Sequence, residues 1–364
     1  MSDTKKICVL PGDGIGAEIV AEGIKVLKQI EANTDISFEL EEGLIGGNAY
    51  DEEGTPLPEG TWQKIKGCDA VLLGAVGGPK WDDLPREKKP EKALLELRKG
   101  LNVYLNLRPV KIFPFLVEMS PIKKIARGEI HPDLVIAREL SSGIYFGEPK
   151  SETGTGKDRE AIDTMRYSYK EIEKVARQAF ELAKSRRCRV TSVDKANVLA
   201  SSGLWRDVVN EISHDYPDVE LDHILVDNCA MQVVLNPQNF DVMLCGNMFG
   251  DIISDLASVL PGSIGLMPSA SLGDGDVGLY EPVHGTAPDI AGQGKANPLA
   301  TILSVSMLLE MTLGLKKEAR AVEDAVSEVL KDGYRTPDLY FDEKKEKPVS
   351  TEEMGDLIVS YLRI

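Results

Sequence analysis

Short apolar runs alternate along this chain with longer stretches of helical spacing. Residues 7–10, 38–41, 70–73, 134–137, 189–193, 223–226 and 240–245 read as strands, several of them apolar enough for burial on both faces. Helical spacing covers 17–31, 89–99, 168–186, 204–215, 297–313, 319–332 and 354–362. The alternation predicts an α/β class with a largely buried sheet. Residues 145–166 stand apart, rich in glycine, threonine and charge with little to bury. They read as a mobile loop or as an arm reaching another subunit, and the sequence leans towards the loop.

The chain has 364 residues, enough for two or three lobes with substantial cores. With 42% hydrophobic and 28% charged residues, its composition is that of a soluble globular protein. A net charge of −17 argues against nucleic acid, whose phosphates need a basic footprint. It leaves room for a small anionic substrate, because a few arginines can cluster inside an acidic protein. Residues 1–6 are polar and only a short apolar run follows, so no secretory leader is expected. The longest apolar attempt, 300–309, stops at Glu310, short of a membrane span. Cys8, Cys68, Cys188, Cys229 and Cys245 are scattered, which fits buried thiols in a reducing cytoplasm.

Several positions carry candidate chemistry. Asp251 and Asp255 follow the apolar run 240–245, and Asn247, just after that run and before both aspartates, is a candidate helix cap. A helix there projects both aspartates from one face, either as a solvated acidic surface or as ligands for Mg²⁺. Arg98 ends a helical stretch, Arg108 follows Leu107, and Arg138 follows a strand. Each alone is an ordinary surface residue, but together they could clamp a dicarboxylate. Lys195 at a strand end is either a solvated lysine or a general base, and Tyr145 either core or a proton donor. Gly12-Asp13-Gly14-Ile15-Gly16 only loosely matches a dinucleotide fingerprint, and Asp35 lies before the second strand instead of at its end. It reads as a tight strand-to-helix turn. His284-Gly285-Thr286-Ala287-Pro288-Asp289-Ile290 is small enough in its side chains for backbone to approach a phosphate, or is a plain turn.

The whole set, in this order, resembles the decarboxylating β-hydroxyacid dehydrogenases, the family of isocitrate and isopropylmalate dehydrogenases. The resemblance runs from Ile7 to the C-terminal helices and is most specific from Asn247 through Leu266, including Pro261-Gly262-Ser263-Ile264-Gly265. It implies a two-lobed α/β fold without a Rossmann domain, which would make the Gly12–Gly16 turn a decoy. The first lobe, 1–103 with 262–364, would bind cofactor. The second, 104–261, would dimerise and hold the metal, with 145–166 as an interlocking arm and the active site in the cleft.

The resemblance also implies residue roles. Asp251, Asp255 and the partner subunit's Asp227 would hold Mg²⁺ or Mn²⁺. Arg98, Arg108 and Arg138 would hold the substrate carboxylates, the partner subunit's Lys195 would take the hydroxyl proton, and Tyr145 would help protonate the product carbon. Within the family the nearest branch acts on (2R,3S)-3-isopropylmalate, giving 4-methyl-2-oxopentanoate for leucine biosynthesis. Leu94 and Leu95, on the helix face of Glu91 and Arg98, would meet the alkyl branch with Val198 of the partner subunit. Gly78, Pro79, Lys80, Trp81 and Glu91 would lie on the cofactor side, with His284, Gly285, Thr286, Ala287, Pro288, Asp289, Ile290 and Asn297. Asp289 would accept from the ribose hydroxyls and repel a 2′-phosphate, which implies NAD. D-malate or tartrate dehydrogenases of the same family, a non-catalytic regulatory subunit, and a metal-dependent phosphotransferase are the rivals. The absence of a Walker-type phosphate loop weighs against the last.

Overall fold

A computed structural model of the chain describes residues 3–364, which form two compact units. The first unit comprises the chain up to Val103, then Phe113–Pro121 and Pro261–Ile364. Its strands lie in the order Ile36–Glu42, Asp3–Gly12, Ala70–Ala75, Gly278–Pro282, Pro268–Gly273. All neighbours are parallel except the last pair. Every residue of Ala70–Ala75 is buried, which demands cover on both faces. The helix Leu299–Met311 is apolar all round and buried over nearly its whole length, as a helix inside a core must be. Pro90–Gly100 begins with proline in its first turn, where the missing N–H costs nothing. It turns Ala93 and Leu97 into a cluster with Cys8, Leu10, Ile65 and Leu73, and Leu94 packs partly against the same cluster.

The second unit comprises Tyr104–Ile112 and Ile122–Leu260. Its strands run in the order Val103–Lys111, Asp133–Glu139, Val242–Cys245, Arg189–Asp194, Glu220–Leu225. The first pair is antiparallel and the rest are parallel. The helix Tyr169–Lys184 starts with a capping box, Ser168 with Glu171, and buries Ile172, Val175, Ala179 and Phe180. The register decides where the chemistry emerges. Cys245 sits opposite Arg138 on one side and Val193 on the other, and Asp194 opposite Leu225. Arg138, the helix after Cys245, Lys195 and Asp227 therefore all leave the sheet at the carboxyl ends of parallel strands, the edge at which α/β sheets bind ligands.

Three expectations change. Asn247 does not cap its helix: Gly246 precedes the first turn and Asn247 is the first residue of Asn247–Ala257, its side chain turned to Arg138. Residues 145–166 are more ordered than a structureless loop, because Ser151–Thr153 pairs antiparallel with Glu160–Ile162 as an exposed ribbon. The strand expected over 223–226 ends at Leu225, and residue 226 instead opens the helix Val226–Leu235, with Asp227 in its first turn. Four of the five free cysteines are buried, Cys188 being the exception. No helix among the described residues is long and apolar enough to cross a membrane.

Candidate active site

The helix Asn247–Ala257 buries Gly250, Ile253, Ser254 and Ala257 against its unit, which leaves Asp251 and Asp255 on an adjoining face one turn apart. Arg138 lies under this face with 2% of its surface exposed. An ideal Cβ on Gly250 would stand 2.7 Å from its Cγ, so a side chain there would displace the arginine. Arg138 Nη1 donates to Asp251 Oδ1, and Nε and Nη2 donate to Asn247 Oδ1 at 3.2 and 2.9 Å. Arg108 is also buried. Its Nη1 donates to Ser254 Oγ at 2.6 Å and stands 3.4 Å from Asp255 and 3.6 Å from Asp251, while Nε donates to Asn106 at 2.8 Å. Tyr145, in the turn Gly143–Tyr145, donates its hydroxyl to Asp251 Oδ2 at 2.8 Å. Burial raises the Tyr145 phenol above its ordinary value and the Asp251 hydrogen bond raises it further, so it stays protonated near neutrality. Burial also raises the Asp255 carboxyl, against the pull of Arg108.

Lys195 follows the strand Arg189–Asp194 and pairs with Asp227 at 2.9 Å, the hydrogen bond holding the Asp227 carboxyl below its usual range. The Asp227 side chain is 65% exposed and Val198 is 70% exposed. Two carboxylates on one helix face are hard oxygen donors suited to a divalent cation. Among the described residues no group of three or more His, Cys, Asp or Glu is gathered to hold a metal, so a full shell needs oxygens beyond these two.

The first unit holds the remaining residues. Arg98 is buried and its Nη2 donates to Glu281 at 2.9 Å; its Nε is buried with no partner among the described residues, an unmet donor that suits a carboxylate. Leu94 and Leu95 are half-buried beside it. Trp81 lies in the turn Pro79–Trp81, its Nε1 donating to Asp51 at 3.1 Å while Lys80 pairs with Asp51 at 2.7 Å. The Glu91 carboxylate lies close to Gly77, where an ideal Cβ would come within 2.7 Å of Oε1. In the 284–297 segment His284 Nε2 is buried without a partner among the described residues, and nothing stands within 4 Å of where a Gly285 Cβ would be. An orphaned ring nitrogen beside open backbone fits a nucleotide base and its phosphates. Asp289 and Pro288 are exposed, Thr286 is buried, and Ala287 and Ile290 are partly buried. Asn297 is committed within the protein, its Nδ2 to Asp338 at 3.0 Å and its Oδ1 accepting from Leu299 N at 3.0 Å.

Four contributors were absent from the sequence-based set. Asn106 shares a strand face with Arg108 two residues on, and Ser254 lies three residues after Asp251, one turn along the helix; both periods were readable. Glu281 and the Asn247 side-chain role carry no local signal. Asn247 ties the cluster together, because its Nδ2 also donates to Ser142 O at 3.0 Å. Asn247→Ala removes an acceptor of two arginine N–H groups and a donor to a buried loop. The expected loss is about 1–3 kcal/mol for each buried group left unpaired, read as a lower urea midpoint at unchanged slope.

One unit holds buried arginines facing paired aspartates, and the other carries the unmet Arg98 donor and the orphaned His284 ring nitrogen, groups of the kind that bind small polyanions and polar cofactors. The chain belongs to the isocitrate/isopropylmalate dehydrogenase family, whose model matches residues 6–358. It is 56% identical to the 3-isopropylmalate dehydrogenase of Thermotoga maritima over 359 residues, covering 98% of this chain and 99% of that protein. With the 3-isopropylmalate dehydrogenase of Bacillus subtilis the identity is 52% over 358 residues, 98% of each chain. Among solved structures, isocitrate dehydrogenase from Methylococcus capsulatus superposes with a TM-score of 0.87 at 36% identity, covering 99% of this chain and 100% of that one. The family uses a nicotinamide cofactor and a divalent metal.

Proposed function

We propose that this chain works as a homodimeric, NAD⁺-dependent enzyme with Mg²⁺ or Mn²⁺, in the cytoplasm. Its reaction is the oxidative decarboxylation of (2R,3S)-3-isopropylmalate to 4-methyl-2-oxopentanoate and CO₂ in leucine biosynthesis. Near-complete likeness to 3-isopropylmalate dehydrogenases is the observation that carries it. Five free thiols fit a reducing compartment. Met231, Leu235 and Ile252, each more than half exposed on Val226–Leu235 and Asn247–Ala257, support the dimer, since such apolar surface is normally covered. The 145–166 ribbon is its arm.

In this reading residues 104–261 form the dimerising, metal-binding lobe, and 1–103 with 262–364 the cofactor lobe. Arg108 and Arg138 hold substrate carboxylates through charge-assisted N–H bonds, and Arg98 takes one on its unmet Nε. Asp251 and Asp255, with the partner subunit's Asp227, hold the cation. When bound, the cation supplies Lewis acidity towards the hydroxyl oxygen and NAD⁺ supplies the oxidant. Lys195 of the partner subunit takes the hydroxyl proton. Tyr145 remains the protonated donor to the carbon that loses CO₂. Leu94, Leu95 and the partner subunit's Val198 cover the alkyl branch. The test is NADH formation by purified protein with Mg²⁺ and 3-isopropylmalate, D-malate, tartrate or isocitrate in turn; a rate on D-malate or tartrate matching that on 3-isopropylmalate overturns the assignment.

Cofactor choice is carried by the exposed Asp289, whose charge disfavours a 2′-phosphate. Asp289→Lys with Ile290→Tyr replaces that charge by a cation and a phenol. The kcat/KM ratio of NADP⁺ to NAD⁺ should rise by at least about tenfold, one charge contact's worth. An unchanged ratio means the ribose is read elsewhere.

A further inference from the structure

We propose that Asp13 is a positioning residue for the nicotinamide cofactor, its buried carboxylate fixing the backbone of the 77–81 loop. The inference rests on reading the 78–82 and 284–297 loops as the cofactor side. Asp13 sits in the glycine turn that imitates a dinucleotide fingerprint, and that turn is filled by protein. An ideal Cβ on Gly12 would stand 2.0 Å from Ala75 O, and one on Gly14 2.2 Å from Thr286 O. The glycines at positive φ, +73 and +57, thus serve close approach of one loop to another.

The Asp13 side chain is 1% exposed and accepts three backbone N–H bonds, each 2.8 Å long. Gly47 and Gly77 donate to Oδ2, and Asn48 donates to Oδ1. Two of these donors form the N-terminal turn of Gly46–Glu53, where a carboxylate is favoured by the free N–H groups and the helix dipole. The third, Gly77, opens the cofactor-side loop at φ +112. The far end of that loop returns to the same helix: Trp81 packs against Gly47, where an ideal Cβ would stand 2.2 Å from its Cε2, and both Trp81 and Lys80 bond Asp51. Asp13 therefore fixes the loop directly at Gly77 and indirectly through Gly46–Glu53. The same turn reaches the second cofactor loop through Ile15 N, which donates to Thr286 O at 2.9 Å. Glu91, on the nicotinamide side, lies against Gly77. Without the carboxylate these three N–H groups lose their shared acceptor, and a buried N–H left bare drives the loop to move.

Two variants separate positioning from bulk stability. Asp13→Ala removes every acceptor. Asp13→Asn keeps one oxygen for Gly47 and Gly77 and turns an NH₂ towards Asn48 N–H, so it retains part of the function. NADH binding to the purified full-length enzyme is titrated by fluorescence, well below each variant's melting temperature, beside KM for 3-isopropylmalate. The expected result is NADH affinity weakened at least about tenfold in Asp13→Ala and about threefold in Asp13→Asn. KM for 3-isopropylmalate should stay within about twofold, since the arginine–aspartate cluster is untouched. Should Asp13→Ala fail to fold, Asp13→Asn decides alone. Parental NADH affinity in a folded variant, or parallel loss of both ligands, overturns the proposal. Asp289→Ala is measured alongside: if it too binds NADH like the parent, the cofactor reading of these loops falls, whereas weak binding there with parental Asp13 variants sinks only the role of Asp13.

Discussion

Asp251→Asn should abolish most turnover at limiting Mg²⁺ and regain part of it when the metal is raised. Asp251 carries three contacts at once: Oδ1 takes Arg138, Oδ2 takes the Tyr145 hydroxyl, and Arg108 stands 3.6 Å away. Asparagine keeps the shape and one oxygen but loses the charge that a hard cation needs. Losing a residue that merely supports a ligand costs about 10- to 100-fold in metal affinity, so losing a charged ligand should cost at least about 100-fold. The chemistry after binding is unchanged in kind, which is why excess metal should restore rate. Initial rates across a Mg²⁺ titration give the answer. Parental activity at limiting Mg²⁺ would remove Asp251 from the metal shell. A loss that no amount of metal relieves, with KM for substrate raised, would instead mean that Asp251 acts by holding Arg138.

The periodicity exposed much of the frame of both units because their central strands are buried on both faces. Ala70–Ala75 and Val242–Cys245 are buried at every position, and such runs stand out in a sequence. Val103–Lys111, Pro268–Gly273 and Gly278–Pro282 escaped for the opposite reason. They bury Asn106, Arg108, Ser269, Ser271 and Glu281, polar residues that a pattern of apolar positions scores as surface. The acidic pair was legible from helical spacing, and Arg138 from its place after a strand. Their mutual contact was not, since Arg138 and Asp251 are 113 residues apart. Asn247 was misread because a capping rule sees only the local backbone, and its side chain answers to Arg138. The roles of Lys195, Asp289 and the Leu94–Leu95 face came from family resemblance; taken singly, each has a bland reading as good.

Leu94→Ala with Leu95→Ala should erode the preference for 3-isopropylmalate over D-malate, chiefly by slowing the branched substrate. Both leucines are half-buried on Pro90–Gly100, within one turn of Arg98, whose guanidinium is anchored to Glu281. A substrate carboxylate taken by Arg98 thus brings its neighbouring carbon to the two leucines. Burying a branched alkyl group is worth roughly 1.5–3 kcal/mol, or about 10- to 200-fold in kcat/KM. D-malate carries no branch, so its rate has little to lose. Part of the cost will fall on stability, because Leu94 also packs against the core cluster of Leu97, Leu73 and Ile65. The single variants separate the two effects. Leu95→Ala should lower kcat/KM for 3-isopropylmalate with a small change in melting temperature, and Leu94→Ala should lower both. A double variant that slows D-malate as much as 3-isopropylmalate would show that this face supports the fold of the helix and does not read the alkyl branch.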